Sequence, residues 1–273
     1  MSRIGIGRPL TDNDNASFGP EMLGERLRAA GLDLPARMVD EWVVAVGDPT
    51  GGPVDDGIVS ARARFKVGER LSIRVTWLIS SSGEVAVDFT ARGDLDLPPL
   101  LRLGLELELP SSFADLEWFG PGPGETYRDR LGGFPISRHA MPVSDTFFPY
   151  ARPQETGNHT DLRWLALRST GPALVVTGSE HFDGAAHHSR PEDIAAAHHP
   201  HEIVARDVTV LRLDVAHSGI GTGSCGPGIN QTDQVRPLDI RHRLVLRAAA
   251  PEDDLGQVAR RATDLPRPRR WNY

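Results

Sequence analysis

The chain has 273 residues, 39% of them hydrophobic and 25% charged, with a formal net charge of -7. That is enough apolar material for one large core or two smaller ones. The mild acidity argues against a nucleic-acid partner, because no basic stripe is present to displace counterions from phosphates. Cationic side chains are nearly all Arg, with Lys66 the one Lys. The single cysteine, Cys225, excludes an internal disulfide and fits a reducing compartment. MSRIGIGRPL lacks the apolar run of a secretory leader, and no stretch approaches the roughly 20 apolar residues that cross a bilayer. A cytoplasmic protein, without membrane attachment, is expected.

In chain order, Asp12-Asn13-Asp14 reads as an Asx-type turn. It lacks the glycine and terminal glutamate of a calcium loop. Residues 21–30 put Met22, Leu23, Leu27 and Ala30 on one helical face, with Gly31 as the stop. Ile58–Val67, Leu71–Ile79 and Glu84–Ala91 alternate with period 2 and predict an antiparallel meander. Leu101, Leu103, Leu105, Leu107 and Leu109 alternate with polar residues, as in a half-buried strand. Further strands are expected at 163–168, 173–178, 207–214 and 239–247, and a second helix at 191–197, with Glu192 and Asp193 in its first turn. Short strands, Gly- and Pro-rich turns and little helix give an all-β class and a large sandwich. One domain is expected over residues 1–248, followed by a flexible, charged and Pro-rich tail over 249–273.

The acids Glu117, Glu125, Asp129, Asp145, Glu155 and Asp161 stand among Gly, Pro and Arg. This predicts that they tie down loops through Arg and backbone N–H groups, with Asp129-Arg130 and Asp161-x-Arg163 as internal ion pairs. His181, His187, His188, His198, His199 and His201 lack the Cys pairs or H-E-x-x-H spacing of a zinc site, and no metal is expected. Phe147, Phe148 and Tyr150 pack in the core or, where exposed, form an interface for a neighbour. The run Gly219–Pro227 holds four glycines. Its backbone N–H groups and the Ser224 hydroxyl suit sugar hydroxyls, the alternative being a compact turn around an inert cysteine.

Five segments carry a family resemblance. They are Arg8-Pro9-Leu10-Thr11-Asp12-Asn13-Asp14, the run Glu117–Arg130 (EWFGPGPGETYRDR), SDTFFPYARPQETGNHTDLRWLAL from Ser144 to Leu167, His181–Glu202, and GIGTGSCGP from Gly219 to Pro227. In this order they resemble the R-x-P-x-DND, W-x-G-x-GP-x-E-x-Y-x-DR, PY-x-RPQE-x-GN-x-TD-x-RW, A-x-H-x-x-EL and G-x-G-x-x-SCGP stretches of the last domain of family-2 β-galactosidases. Together they span about residues 8 to 247.

The resemblance implies a large antiparallel supersandwich of the galactose mutarotase type. In some family members this domain is a separate small chain that joins a larger catalytic one. It implies a large catalytic β-galactosidase chain as partner and a terminal β-D-galactoside such as lactose as substrate. The two catalytic glutamates lie on the partner's barrel, so no catalytic residue is expected here. No cofactor is expected in this chain, while the barrel takes Mg or Na. The resemblance also makes Gly223, Ser224 and Cys225 the candidate substrate-binding residues, because this loop reaches towards the galactose pocket in the family. Some members carry a Trp there as a sugar platform, and Cys225 stands in its place. The alternative is a free-standing carbohydrate-binding protein or sugar mutarotase, whose acid and base would be residues such as His181 and Glu155.

Overall fold

The computed structural model describes residues 2–16, 23–33, 36–37, 41–46, 57–67, 70–221, 228–236 and 238–267. The expected alternating strands appear as β4 (Ile58–Val67), β5 (Leu71–Ser80), β6 (Val85–Gly93), β7 (Arg102–Pro110), β10 (His159–Arg168), β11 (Ala173–His187), β12 (Val208–His217) and β13 (Ile240–Ala249). The strands β1 (Ser2–Gly5), β2 (Ala36–Arg37), β3 (Glu41–Val46), β8 (Asp115–Pro121) and β9 (Ile136–Pro142) are not among those expected from the sequence. Helix among the described residues is confined to short elements: α1 (Asp12–Ala16), α2 (Leu23–Ala30), α3 (Pro191–Ala196), α4 (Leu255–Ala259) and three 3-10 turns. The class is the expected all-β, antiparallel one.

All thirteen strands belong to one sheet, ordered β2-β1-β7-β12-β11-β13-β6-β5-β4-β3, with β10, β8 and β9 branching from β11. The branch comes from the length of β11. Its first half pairs with β13 from Ala173↔Ala249 to Gly178↔Leu244. Its second half pairs with β12 from Asp183↔Asp214 to His187↔Val210. One strand thus serves two neighbours, and the interruption at Gly178-Ser179-Glu180 hides its second half from a periodicity reading. A core of Ile73, Val75, Phe89, Leu103, Leu105, Trp118, Leu165 and Leu211, each at most 1% exposed, runs through the sheet. Burying each large apolar side chain is worth about 1.5–3 kcal/mol.

β7 departs from the expected half-buried pattern, because its polar face is buried too: Arg102 and Glu106 are 0% and 1% exposed. Ion pairing makes that tolerable. Arg102 Nε donates to Asp214 Oδ1 at 3.0 Å on β12, and Glu106 accepts from Arg3 on β1. β8 and β9, which the sequence showed only as a motif loop, form a hairpin whose Trp118 stacks on His159 at 3.9 Å between ring centroids.

The stretch expected to be a flexible tail is folded onto the sheet over its described part. Asp254 caps α4 by accepting from Gln257 N at 3.0 Å. Leu255 and Val258 pack with Trp164 and Val175, and Leu265 packs with Ile58, Leu78 and Val245. Arg243 holds the chain there by donating to the carbonyls of Leu265 and Pro266 at 3.0 and 2.6 Å.

Candidate functional site

The sequence motifs meet at the root of the glycine loop. Arg8, fully buried, donates to the carbonyls of Ser218 and Gly219 at 2.9 and 2.8 Å. Its guanidinium also forks onto Asp14 at 3.2 and 3.0 Å. Asp14 is placed by a capping box, in which Thr11 N donates to Asp14 Oδ2 and Asp14 N donates to Thr11 Oγ1 at 3.0 and 3.1 Å. The expected Asx turn is therefore a helix cap led by Thr11, and α1 follows it. Asn13 points the other way, donating to the Ile220 carbonyl at 3.1 Å.

Asp129 closes the root from the opposite side. Its two carboxylate oxygens accept from Ile220 N and Gly221 N at 3.1 and 2.7 Å. It is not paired with Arg130, as the sequence suggested; Arg130 reaches Glu125 at 3.0 Å instead. Asp161 and Arg163 do pair, at 3.0 Å. The chain passes so close to Asp129 that a Cβ on Gly219 would stand 2.5 Å from its carboxylate, and Gly221 adopts φ +92°. Both positions therefore require glycine. Residues 222–227 lie outside the described residues, and with them Gly223, Ser224 and Cys225.

Behind the root is a buried polar layer. Arg212 on β12 grips both oxygens of Glu155 at 2.8 and 2.7 Å. His217 Nε2 stands 3.8 Å from the same carboxylate, and the Tyr127 ring lies 5.6 Å from that of His217. Burial opposes ionisation of Glu155, but Arg212 and His217 outweigh it and hold the carboxyl well below its usual range. Glu155 N also donates to the Pro9 carbonyl at 3.0 Å, tying this layer to the opening motif. Beside Arg8 a cleft of about 320 Å³ opens, lined by Leu10, Arg152, Pro153, Ala197 and His198 among others.

The other acids that the sequence singled out are engaged in structure. Glu117 takes Arg138 and Arg168. Glu125 takes Tyr150 Oη and Gly157 N. His181 is half-exposed against Asp161 at 2.5 Å, while Glu155 is buried against Arg212. Among the described residues the acid–base pair imagined for a mutarotase has separate partners, Asp161 for His181 and Arg212 for Glu155. His188 bonds the Val208 carbonyl, and His199 stacks on His201. No cluster of three or more metal-ligating side chains exists among the described residues. Phe147 meets His187 edge-on, and Phe148 is 55% exposed. Arg212 and His217 escaped the sequence reading, although an Arg and a His inside a run as apolar as VTVLRLDVAH are a visible signal of buried pairing.

His187 and His159 are buried and neutral. Burial, then the Arg212 charge, lowers His187 to about 4. Burial, then His187 and His139, lowers His159 to about 3. Asp183 moves the opposite way, to about 6, because burial and Asp214 outweigh His217 and Thr160. Between pH 4.5 and 6 the unfolded chain binds two protons on these histidines that the fold refuses. The fold keeps one on Asp183 that the unfolded chain releases. The net over these three groups is one proton, so together they contribute a fall in stability on acidification of about 1.4 kcal/mol per pH unit. In urea unfolding across that window, His187→Asn is expected to flatten the slope; an unchanged slope would contradict the assignment.

The family model described as "Beta galactosidase small chain" matches residues 1–246. A β-galactosidase from Arthrobacter sp. (strain B7) is 31% identical over 91% of this chain and 26% of its own length. One from Vibrio cholerae is 33% identical over 78% of this chain and 20% of its own. The chain therefore spans about a quarter or less of these relatives. Among solved structures, a galactose 1-epimerase from Lactobacillus acidophilus NCFM matches at 10% identity and TM-score 0.37, covering 77% of this chain and 66% of that one. An aldose epimerase homologue from C. elegans matches at 14% and TM-score 0.38, covering 77% and 68%.

Proposed function

The chain belongs to the β-galactosidase small-chain family, and from that membership we propose that it is the non-catalytic part of a β-galactosidase. It joins a large catalytic chain and completes the galactose pocket of that chain's barrel, in the hydrolysis of terminal β-D-galactosides such as lactose. The observation that carries this reading is the convergence of Arg8, Asn13 and Asp129 on the backbone of Ser218–Gly221. Two distant segments, the opening motif and the turn at Asp129, are spent on fixing where one loop leaves the sheet. A loop with only a structural role has no need of that. The loop's backbone N–H groups and Ser224 then meet sugar hydroxyls. The exposed Phe148, beside Tyr150 at 4.6 Å between ring centroids, is a candidate contact for the partner chain.

A retaining glycosidase needs a nucleophile and an acid/base about 5–5.5 Å apart. We assign both to the partner barrel, together with any Mg or Na it uses. In support, Glu117, Glu125, Asp129, Glu155 and Asp161 are all held by Arg, Tyr, His or backbone donors here. No helix among the described residues is long and apolar enough to cross a membrane, and a cytoplasmic location without nucleic-acid binding is part of the proposal. The test is a nitrophenyl β-galactoside assay on the purified chain alone, where no turnover is expected. Turnover that survives purification and disappears on mutating an acid of this chain would overturn the assignment.

A further inference from the structure

We propose that Asp183 and Asp214 hold one proton between them, so that a buried carboxyl–carboxylate bond joins β11 to β12 and is released when the proton is lost. The two residues stand directly opposite each other in the β11–β12 ladder, where paired side chains have Cβ atoms about 4.5–5.5 Å apart. They are 5% and 0% exposed. Register places them there. Arg102, Gly104 and Glu106 share one face of β7, and their partners on β12 are His217, Asp214 and Arg212. The register shift between Asp214 and Ala216 turns His217 onto the same face as Asp214, although three positions separate them. Gly104 makes the room, since a Cβ there would stand 2.1 Å from Asp214 Oδ1.

Two ionised carboxylates this close in a dry interior repel each other. Asp214 Oδ1 accepts from Arg102 Nε at 3.0 Å, while Asp214 Oδ2 is buried without a donor. Asp183 uses one oxygen on β10, where its Oδ1 accepts from the Thr160 hydroxyl and, at 3.1 Å, from Asp161 N. The charged groups that face the pair have partners of their own. On β12, Arg212 grips Glu155 at 2.7 Å, and His217 Nδ1 donates to the Ser218 carbonyl at 2.8 Å. On β10, His159 lies opposite Gly184, and Asp161 takes Arg163 and His181. Arg128 attracts Asp183 from an exposed position, and the stretch 222–227 carries no charged side chain. The buried Arg8, Arg102 and Arg212 match Asp14, Asp214 and Glu155 one to one, which leaves Asp183 as the extra acid of the layer. A proton on Asp183 Oδ2 is the donor that fits Asp214 Oδ2, in the strong O–H···O⁻ class of bond. Burial, with Asp214 adding to it, outweighs His217, Thr160 and Arg128 and pushes Asp183 up to about 6, the direction such a bond requires.

Asp183→Asn tests this on the chain itself, because the amide donates to Asp214 Oδ2 at every pH while its oxygen still accepts from Thr160 and Asp161. The folded acid keeps a proton that the unfolded chain releases, so the wild type loses stability from about pH 4 up to about pH 6 and the variant does not. In urea unfolding, the ratio of folding constants, variant over wild type, is expected to rise with pH across that window by about a hundredfold and then level off. Above pH 6 the amides of Gly184–His187 should exchange faster in the wild type than in the variant at the same pH. Should the variant fail to fold, carbon-13 detection of the wild-type aspartate carboxyls gives the same reading, with Asp183 titrating near pH 6. A ratio that stays constant with pH, or an Asp183 carboxyl that titrates near pH 4, would overturn the proposal. So would wild-type stability at pH 8 that depends on which of sodium, potassium or calcium is present at constant ionic strength, since a cation would then hold the two acids together.

Discussion

Replacing Glu155 by Gln is expected to lower the unfolding free energy by about 3–5 kcal/mol, a large part of the margin of a typical domain. Glu155 is 2% exposed and Arg212 is equally buried. The substitution therefore leaves a guanidinium inside the molecule without its bidentate counter-charge, with only the more distant Asp214 acting on it. Arg212 keeps a 3.2 Å bond to the Thr156 carbonyl, but a neutral amide gives it only one acceptor where two charged oxygens stood. The same change loosens the layer on which the opening motif rests, since Glu155 and Pro9 are joined through the backbone. Chemical denaturation at neutral pH measures the effect. A loss below about 1 kcal/mol, the scale of an exposed ion pair, would mean that water reaches this pair in solution.

The second large effect is expected from Asp129→Asn, and it falls on activity rather than stability. The amide retains one acceptor oxygen, so one of the two loop N–H bonds is lost. The Arg8 and Asn13 contacts hold the remainder of the root. A bond to a charged acceptor is worth about 1.5–3 kcal/mol, which the fold tolerates. The loop, however, leaves the sheet in a different direction. Misplacement by an ångström is enough to lower catalysis on the order of 10²-fold, and a loss of that size is expected in the complex with the catalytic chain. Gly223→Val attacks the same loop and should lower activity while leaving assembly intact; Cys225→Ser should be milder. Cys225 is the only cysteine, so thiol labelling reports the loop directly. Faster labelling and faster exchange of the Ile220 and Gly221 amides are expected in Asp129→Asn. Full activity with unaltered labelling would make the brace purely structural.

The β meander was legible because each of its strands buries one face, which is the condition under which alternation survives in sequence. β7 was found for the same reason, yet its second face was misjudged. Arg102 and Glu106 look solvent-bound until Arg3 and Asp214 are brought against them. The second half of β11 and the β8–β9 hairpin were lost where Gly, Pro and Asp break the pattern although the backbone pairing continues. α4 shows a further limit, because the charge and proline around Leu255 and Val258 outweigh two buried residues in any composition window. At the site, the glycines marked the loop, but nothing local identified what holds it. Arg8 reaches Ser218 across 210 residues, and Asp129 reaches Gly221 across 92. Pairings at such separations are chosen by the fold and leave no spacing to read. Asp129-Arg130 is the instructive error: adjacent opposite charges suggested a pair, while the geometry gave each side chain a different partner.

The most direct test of the account is to titrate this chain into a purified large β-galactosidase chain that lacks its own last domain, following assembly by size-exclusion chromatography and turnover of lactose in the same samples. The account predicts that neither chain hydrolyses lactose alone, and that activity rises with added small chain to a plateau at equal stoichiometry. Activity of the large chain that is unaffected by this one, or the absence of any complex at micromolar concentrations, would contradict it.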